Sequence, residues 1–107
     1  MIKMKVNGKL VNNALMAANL AVAHHALAAA DLLGIDPSAF AELVKVSSGR
    51  SFSFEVRARM PGPTAFNHGA KLLAKDVRLL GETVGDDPAF VAIRDIAGPF
   101  LTQALAE

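Results

Sequence analysis

Lys9 and Asn13 lie four residues apart in the string Gly8-Lys9-Leu10-Val11-Asn12-Asn13. On a helix that spacing brings two side chains to one face. An ammonium beside an amide suits an oxygen of a hydroxyl or carbonyl group: the lysine donates a proton or hydrogen bond, and the amide holds the same oxygen or orients the lysine. Partial burial would bring the lysine pKa down towards a working value. The spacing by itself fits more readily a solvated first-turn lysine beside asparagines that cap or face water. Other chemistry is thin. The chain has no cysteine, which excludes a thiol nucleophile, a disulfide framework and cysteine-ligated zinc. His24 and His25 are adjacent, about 100° apart around a helix, so they cannot chelate one ion as an i,i+4 pair would. His68 is remote in sequence from both, so no metal site is expected. The histidine pair reads as a polar contact in the core or at a dimer surface.

The elements that must position Lys9 and Asn13 are helices. From Lys9 to Leu33 there is no proline or glycine and alanine and leucine dominate, while Gly34 stands where a helix-ending residue belongs. Asn12, Asn13, Asn19, His24 and His25 interrupt this stretch, so it reads as a core helix and not as a membrane span of roughly 18 apolar residues. Asp36-Pro37 starts a second helix, the aspartate as N-cap and the proline in the first turn, running to about Val46. Ser47-Ser48-Gly49 ends it. A third helix is expected over Phe52 to Met60, closed by Pro61-Gly62-Pro63. Leu72, Leu73, Val77, Leu79, Leu80 and Val84 recur at spacings of three, four and seven and predict a fourth helix from Phe66 to Val84. Gly85-Asp86-Asp87-Pro88 opens a fifth, with a break or kink at Gly98-Pro99 and a last short turn from Leu101 to Glu107. No alternating run suggests a strand. The expected fold is all-α: a bundle of about five helices around one long N-terminal helix, filling one domain over residues 1–107.

With 107 residues, one core is all the chain can build. Its hydrophobic share of 52% against 20% charged residues leaves apolar surface for a further interface. A net charge of +1 gives no field that would draw nucleic acid or an anionic membrane. The first residues form no secretory apolar stretch, so a cytoplasmic protein is expected.

The string Lys9-Leu10-Val11-Asn12-Asn13 at the head of an alanine-rich helix resembles the catalytic helix of the β-hydroxyacid dehydrogenases, the family of 3-hydroxyisobutyrate dehydrogenase and tartronate semialdehyde reductase. Three further strings follow in that family's order and at roughly its spacing: Leu33-Gly34-Ile35-Asp36-Pro37, Ser48-Gly49-Arg50-Ser51-Phe52 and Leu73-Ala74-Lys75-Asp76-Val77-Arg78-Leu79. The resemblance covers nearly the whole chain. It implies the C-terminal helical domain of an NAD- or NADP-dependent oxidoreductase acting on a small β-hydroxy acid. Lys9 is then the catalytic lysine, general acid in reduction and protonated donor to the alkoxide in oxidation. Asn13, with Asn12 beside it, binds substrate. Lys75 lies near the nicotinamide end of the cofactor, and Asp76 orients it or braces a neighbouring helix. Arg50 is expected to be structural, paired with Glu55 or with a helix C-terminus.

Two departures from the family pattern qualify this. Lys3 and Lys5 stand where the family has a Gly-x-Gly element before the lysine, with only Gly8 nearby. The Gly-x-Gly-x-x-Gly turn for the pyrophosphate and the serine-glycine-glycine segment for the substrate carboxylate do not occur in the sequence. A Rossmann domain in cis or trans is therefore expected to supply NAD or NADP, the helical domain being inactive alone and pairing as a homodimer. The related 6-phosphogluconate dehydrogenase pattern, with histidine and glutamate three and seven residues after the lysine, meets Asn12 and Met16 here and is disfavoured. A different reading is a stand-alone, non-catalytic dimerisation module derived from the same scaffold.

Overall fold

The computed structural model describes residues 2–106, with side chains from residue 6 onward. The side chains of Lys3 and Lys5 thus lie outside the described residues. Helix α1 spans Ile2–Leu32, α2 Pro37–Lys45, α3 Phe52–Ala58, α4 Asn67–Val84 and α5 Pro88–Leu105, with a short 3-10 helix at Pro63–Phe66 before α4. The described residues contain no strand. As expected, the architecture is an all-α bundle built round its long first helix.

Helix α1 owes its central place to small side chains. Ala14, Ala17 and Ala21 have no exposed surface and Leu20 is wholly enclosed. An alanine stripe lets a neighbouring helix come close and loses no rotamer freedom on burial. Against that stripe pack Leu73, Val77 and Leu80 from α4 and Phe100, Leu101 and Ala104 from α5. α3 lies on a further side of α1, and α2 covers the outer end of α1 and α3. The segment Val6–Leu32 is long and apolar enough to cross a bilayer by length and composition, so its asparagines and histidines do not disqualify it by themselves. In this fold it packs along one side against α3, α4 and α5, with about a third of it buried.

The punctuation works locally as the residue types require. α1 closes with a Schellman arrangement: the Ile35 N–H donates to the Ala30 carbonyl at 3.0 Å and the Gly34 N–H to the Asp31 carbonyl at 2.9 Å, with Gly34 at φ 73°, a left-handed conformation that glycine adopts without Cβ strain. Asp36 accepts from the Ala39 N–H at 3.0 Å. Asp87 accepts from the Ala89 N–H at 2.9 Å. Both caps precede a proline, as expected of the Asp-Pro pairs.

Three boundaries differ from the sequence reading. α1 begins at Ile2, so Gly8 is helical and Lys9 sits in the third turn, not the first. Glycine costs only about 1 kcal/mol in a helix, which a long helix clasped by three others can absorb. α5 continues through Gly98-Pro99 to Leu105. Pro99 removes one backbone bond, yet Ala97, Phe100, Leu101 and Ala104 on both sides of it are buried, and Asp95, whose carbonyl loses its donor, is exposed to water. The third helix ends at Ala58, two residues before Met60.

Gly81 and Gly8 separate propensity from packing. A Cβ at Gly81 would stand 2.7 Å from the Phe90 ring, whereas one at Gly8 meets nothing within 4 Å. Phe90 is buried, and making room would turn its ring out of its packing against α4, towards the cleft it lines with Val11 and Val84. Gly8→Ala is expected to raise stability by roughly 0.5–1 kcal/mol in urea unfolding, and Gly81→Ala to lower it by about 1–2 kcal/mol despite the same gain in helix propensity.

Candidate functional site

Lys9, Asn12, Asn13 and Met16 recur at i, i+3, i+4 and i+7, and so share one side of α1. Asn13 is the hinge of the arrangement. Its side-chain N–H donates to the Asp76 carboxylate across the α1–α4 interface at 2.5 Å. Its carbonyl oxygen accepts from the Asn12 amide at 3.3 Å. Asp76 is 9% exposed, and a carboxylate removed from water needs such a donor. The pair therefore fixes the register between the helix carrying Lys9 and the helix carrying Lys75. Of the two roles expected for Asp76, the structure shows the bracing of a neighbouring helix.

The two lysines flank this bridge from either helix. Lys9 is one turn before Asn13 and Lys75 is the residue before Asp76; both are exposed. Among the described residues neither makes a hydrogen bond or ion pair. This chain alone does not supply the partial burial considered for Lys9.

Beyond Asn13 a groove of about 400 Å³ runs along α1, lined by Asn12, Asn13, Met16 and Asn19 on one side and by Ser51, Phe52 and Ser53 on the other. The second wall is the start of α3. Ser51 caps that helix by accepting from the Phe54 N–H at 2.9 Å. The Ser53 hydroxyl, buried, donates towards Met16, with the thioether sulfur at 3.0 Å and the carbonyl oxygen at 3.4 Å. Phe52 keeps 70% of its surface exposed at the groove. Sequence reasoning placed Ser51 in the turn between helices and Phe52 at the start of the third helix and gave neither a site role; the available signal was a serine followed three residues later by the helix interior, an N-cap pattern.

Arg50 lies outside the groove. Its guanidinium donates to the Ser47 carbonyl at 3.0 Å, just past the end of α2, which is the helix-terminus role expected of it; it forms no ion pair with Glu55. Of the histidine pair, expected to make a polar contact in the core or at a dimer surface, His24 is half-buried and accepts at Nδ1 from the Arg57 Nε at 3.2 Å, while His25 is exposed.

An ammonium, two amides and an open groove beside a second lysine helix make half of a polar site. The family described as "NAD-binding of NADP-dependent 3-hydroxyisobutyrate dehydrogenase" matches residues 7–104. The chain belongs to that family. Within this 3-hydroxyisobutyrate dehydrogenase family, a curated relative is the mitochondrial 3-hydroxyisobutyrate dehydrogenase of Pongo abelii, 30% identical over 98 residues, covering 83% of this chain. The chain spans 29% of the length of that relative. No solved structure gives a significant match. The family match takes in both the Lys9–Asn13 string and the Lys75–Asp76 pair, the two segments that the Asn13–Asp76 bond joins.

That bond is open to a double-mutant cycle. Asn13→Ala and Asp76→Ala should each destabilise the fold, and the pair together by less than their sum, with a coupling of about 1.5–3 kcal/mol for a hydrogen bond to a charged group. Additive losses in urea unfolding would show that the two side chains do not depend on each other.

Proposed function

We infer that this chain is the helical domain of an NAD(P)-dependent oxidoreductase acting on a small β-hydroxy acid. The observation that carries the reading is the Asn13–Asp76 bond, because it sets the Lys9 helix against the Lys75 helix at one level of the bundle. In this reading Lys9 gives a proton to the carbonyl oxygen as hydride arrives in reduction, and stabilises the alkoxide in oxidation. Asn13 has a second N–H free to hold the same oxygen, and Asn12 completes the amide pair. Lys75 faces the nicotinamide end of the cofactor. Groove, lysines and amides are open to solvent on the side where a nucleotide-binding body, in cis or in trans, would close over them and exclude water. NAD or NADP is bound mainly by that body, and the helical domain alone carries no turnover. We place the protein in the cytoplasm, free of membrane and nucleic acid.

The test uses the helical domain joined to such a nucleotide-binding domain. Lys9→Ala should lower kcat by about 10²–10⁴-fold, the usual range for a positioned acid, with a much smaller change in KM. Asn13→Gln should weaken substrate binding more than it slows hydride transfer. A Lys9→Ala enzyme with the parent's kcat would remove Lys9 from the chemistry, and oxidation of NAD(P)H by the 107-residue chain alone would remove the need for a second body.

Helix α1 also favours self-association. Val11, Leu15 and Val22, each about half exposed, and Leu32, 88% exposed, fall along one stripe of α1 with the exposed Ala29 between the last two. Such a stripe on a second copy is its natural cover. This supports a homodimer through the helical domain and would also serve a non-catalytic association module. Light scattering at dilute concentration should give twice the chain mass, and Val22→Glu should return it to the monomer. A strict monomer throughout would sink the dimer in either role.

A further inference from the structure

The second polar centre of the molecule lies at the other end of α3, around Arg57. This arginine is 8% exposed, yet its charge has no carboxylate opposite it: among the described residues its partners are neutral. Nε and Nη2 approach the same His24 Nδ1 at 3.2 and 3.1 Å, and Nη1 donates to the Met60 carbonyl at 3.1 Å. A guanidinium has five N–H groups and an imidazole nitrogen offers one lone pair. Two acceptor atoms therefore serve five donors. Each guanidinium nitrogen has a partner and no buried N–H of the group is orphaned, but these partners are neutral, so the charge that arginine keeps is left for an anion to balance.

Arg57 and His24 line a cleft of about 400 Å³, within the volume range of small-ligand sites. Its other walls are mostly apolar, from Leu27, Ala28, Pro37, Met60 and Pro61, with one carboxylate, Asp31. Asp31 is seven residues after His24 and so on the same side of α1. The planar guanidinium fork fits a carboxylate through two parallel hydrogen bonds. Asp31 on the same wall repels a second negative charge on the ligand, which disfavours phosphate and dicarboxylates. The apolar walls would cover a short hydrocarbon chain. His24 is held largely neutral, its pKa lowered by burial, then by Arg57 and His25. The arginine is thus the anchoring charge.

We propose that the cleft between α1 and α3 at Arg57 is a binding site for a small organic monocarboxylate with a short apolar chain. It shares no lining residue with the groove beside Asn13, whose wall on α1 ends at Asn19, five residues and about 7.5 Å along the axis before His24.

The probe is hexanoate, titrated into the 107-residue chain while the Arg57 Nε–H and His24 ring resonances are followed by NMR, with inorganic phosphate in a parallel titration. Hexanoate should give saturable shifts confined to His24, Arg57 and the Met60–Pro61 turn, and phosphate should give no saturation at these groups. Arg57→Lys keeps the charge and removes the fork, and should weaken hexanoate roughly tenfold or more. Asp31→Asn should leave hexanoate binding in place and admit phosphate. Shifts that grow linearly without saturating, equal binding by phosphate to the unaltered chain, or unchanged hexanoate affinity in the folded Arg57→Lys variant would each overturn the assignment.

Discussion

The fold depends on how closely other helices can approach α1. Ala14, Ala17 and Ala21 present almost no side chain to their neighbours, so α4 and α5 lie near enough for a short amide on α1 to reach a short carboxylate on α4. Asparagine and aspartate have little reach, and larger residues at the alanine positions would hold the two helices apart. The polar bridge at Asn13 is thus a product of the apolar stripe beside it. Interiors packed at this density transmit small changes in volume directly into position. In this family member the core and the candidate site are parts of one interface.

Most of the fold could be read from punctuation. Asp36-Pro37 and Asp87-Pro88 act as cap and first turn, Gly34 takes the left-handed conformation after α1, and Pro61-Gly62-Pro63 separates α3 from α4. Each signal is local, decided by a few neighbouring residues, which is why sequence alone carries it. Gly8, and Gly98-Pro99 where it was read as a break, misled for the opposite reason. Whether a glycine or proline ends a helix depends on what the flanking turns bury, and here Phe100 and Leu101 hold α5 together past its proline.

The candidate site was legible along α1 and illegible across the bundle. Lys9, Asn12, Asn13 and Met16 share a side by helical period alone. That Asn13 meets Asp76, 63 residues later, follows from the packing of two helices whose facing rows could not be aligned from their sequences. Phe52 and Ser53 were equally hidden, because a helix of two turns carries too few apolar positions to say which side meets α1. Nothing in the sequence singled out Arg57; its burial is set by α1 on one side and the Met60 turn on the other.

Helix α3 is only seven residues long, about 10 Å at the usual rise. Its first turn forms one wall of the groove beside Asn13, and its last turn holds Arg57 against His24. A rod of two turns has no joint within it. One short rigid segment thus borders both places, so a displacement of its last turn carries its first turn with it.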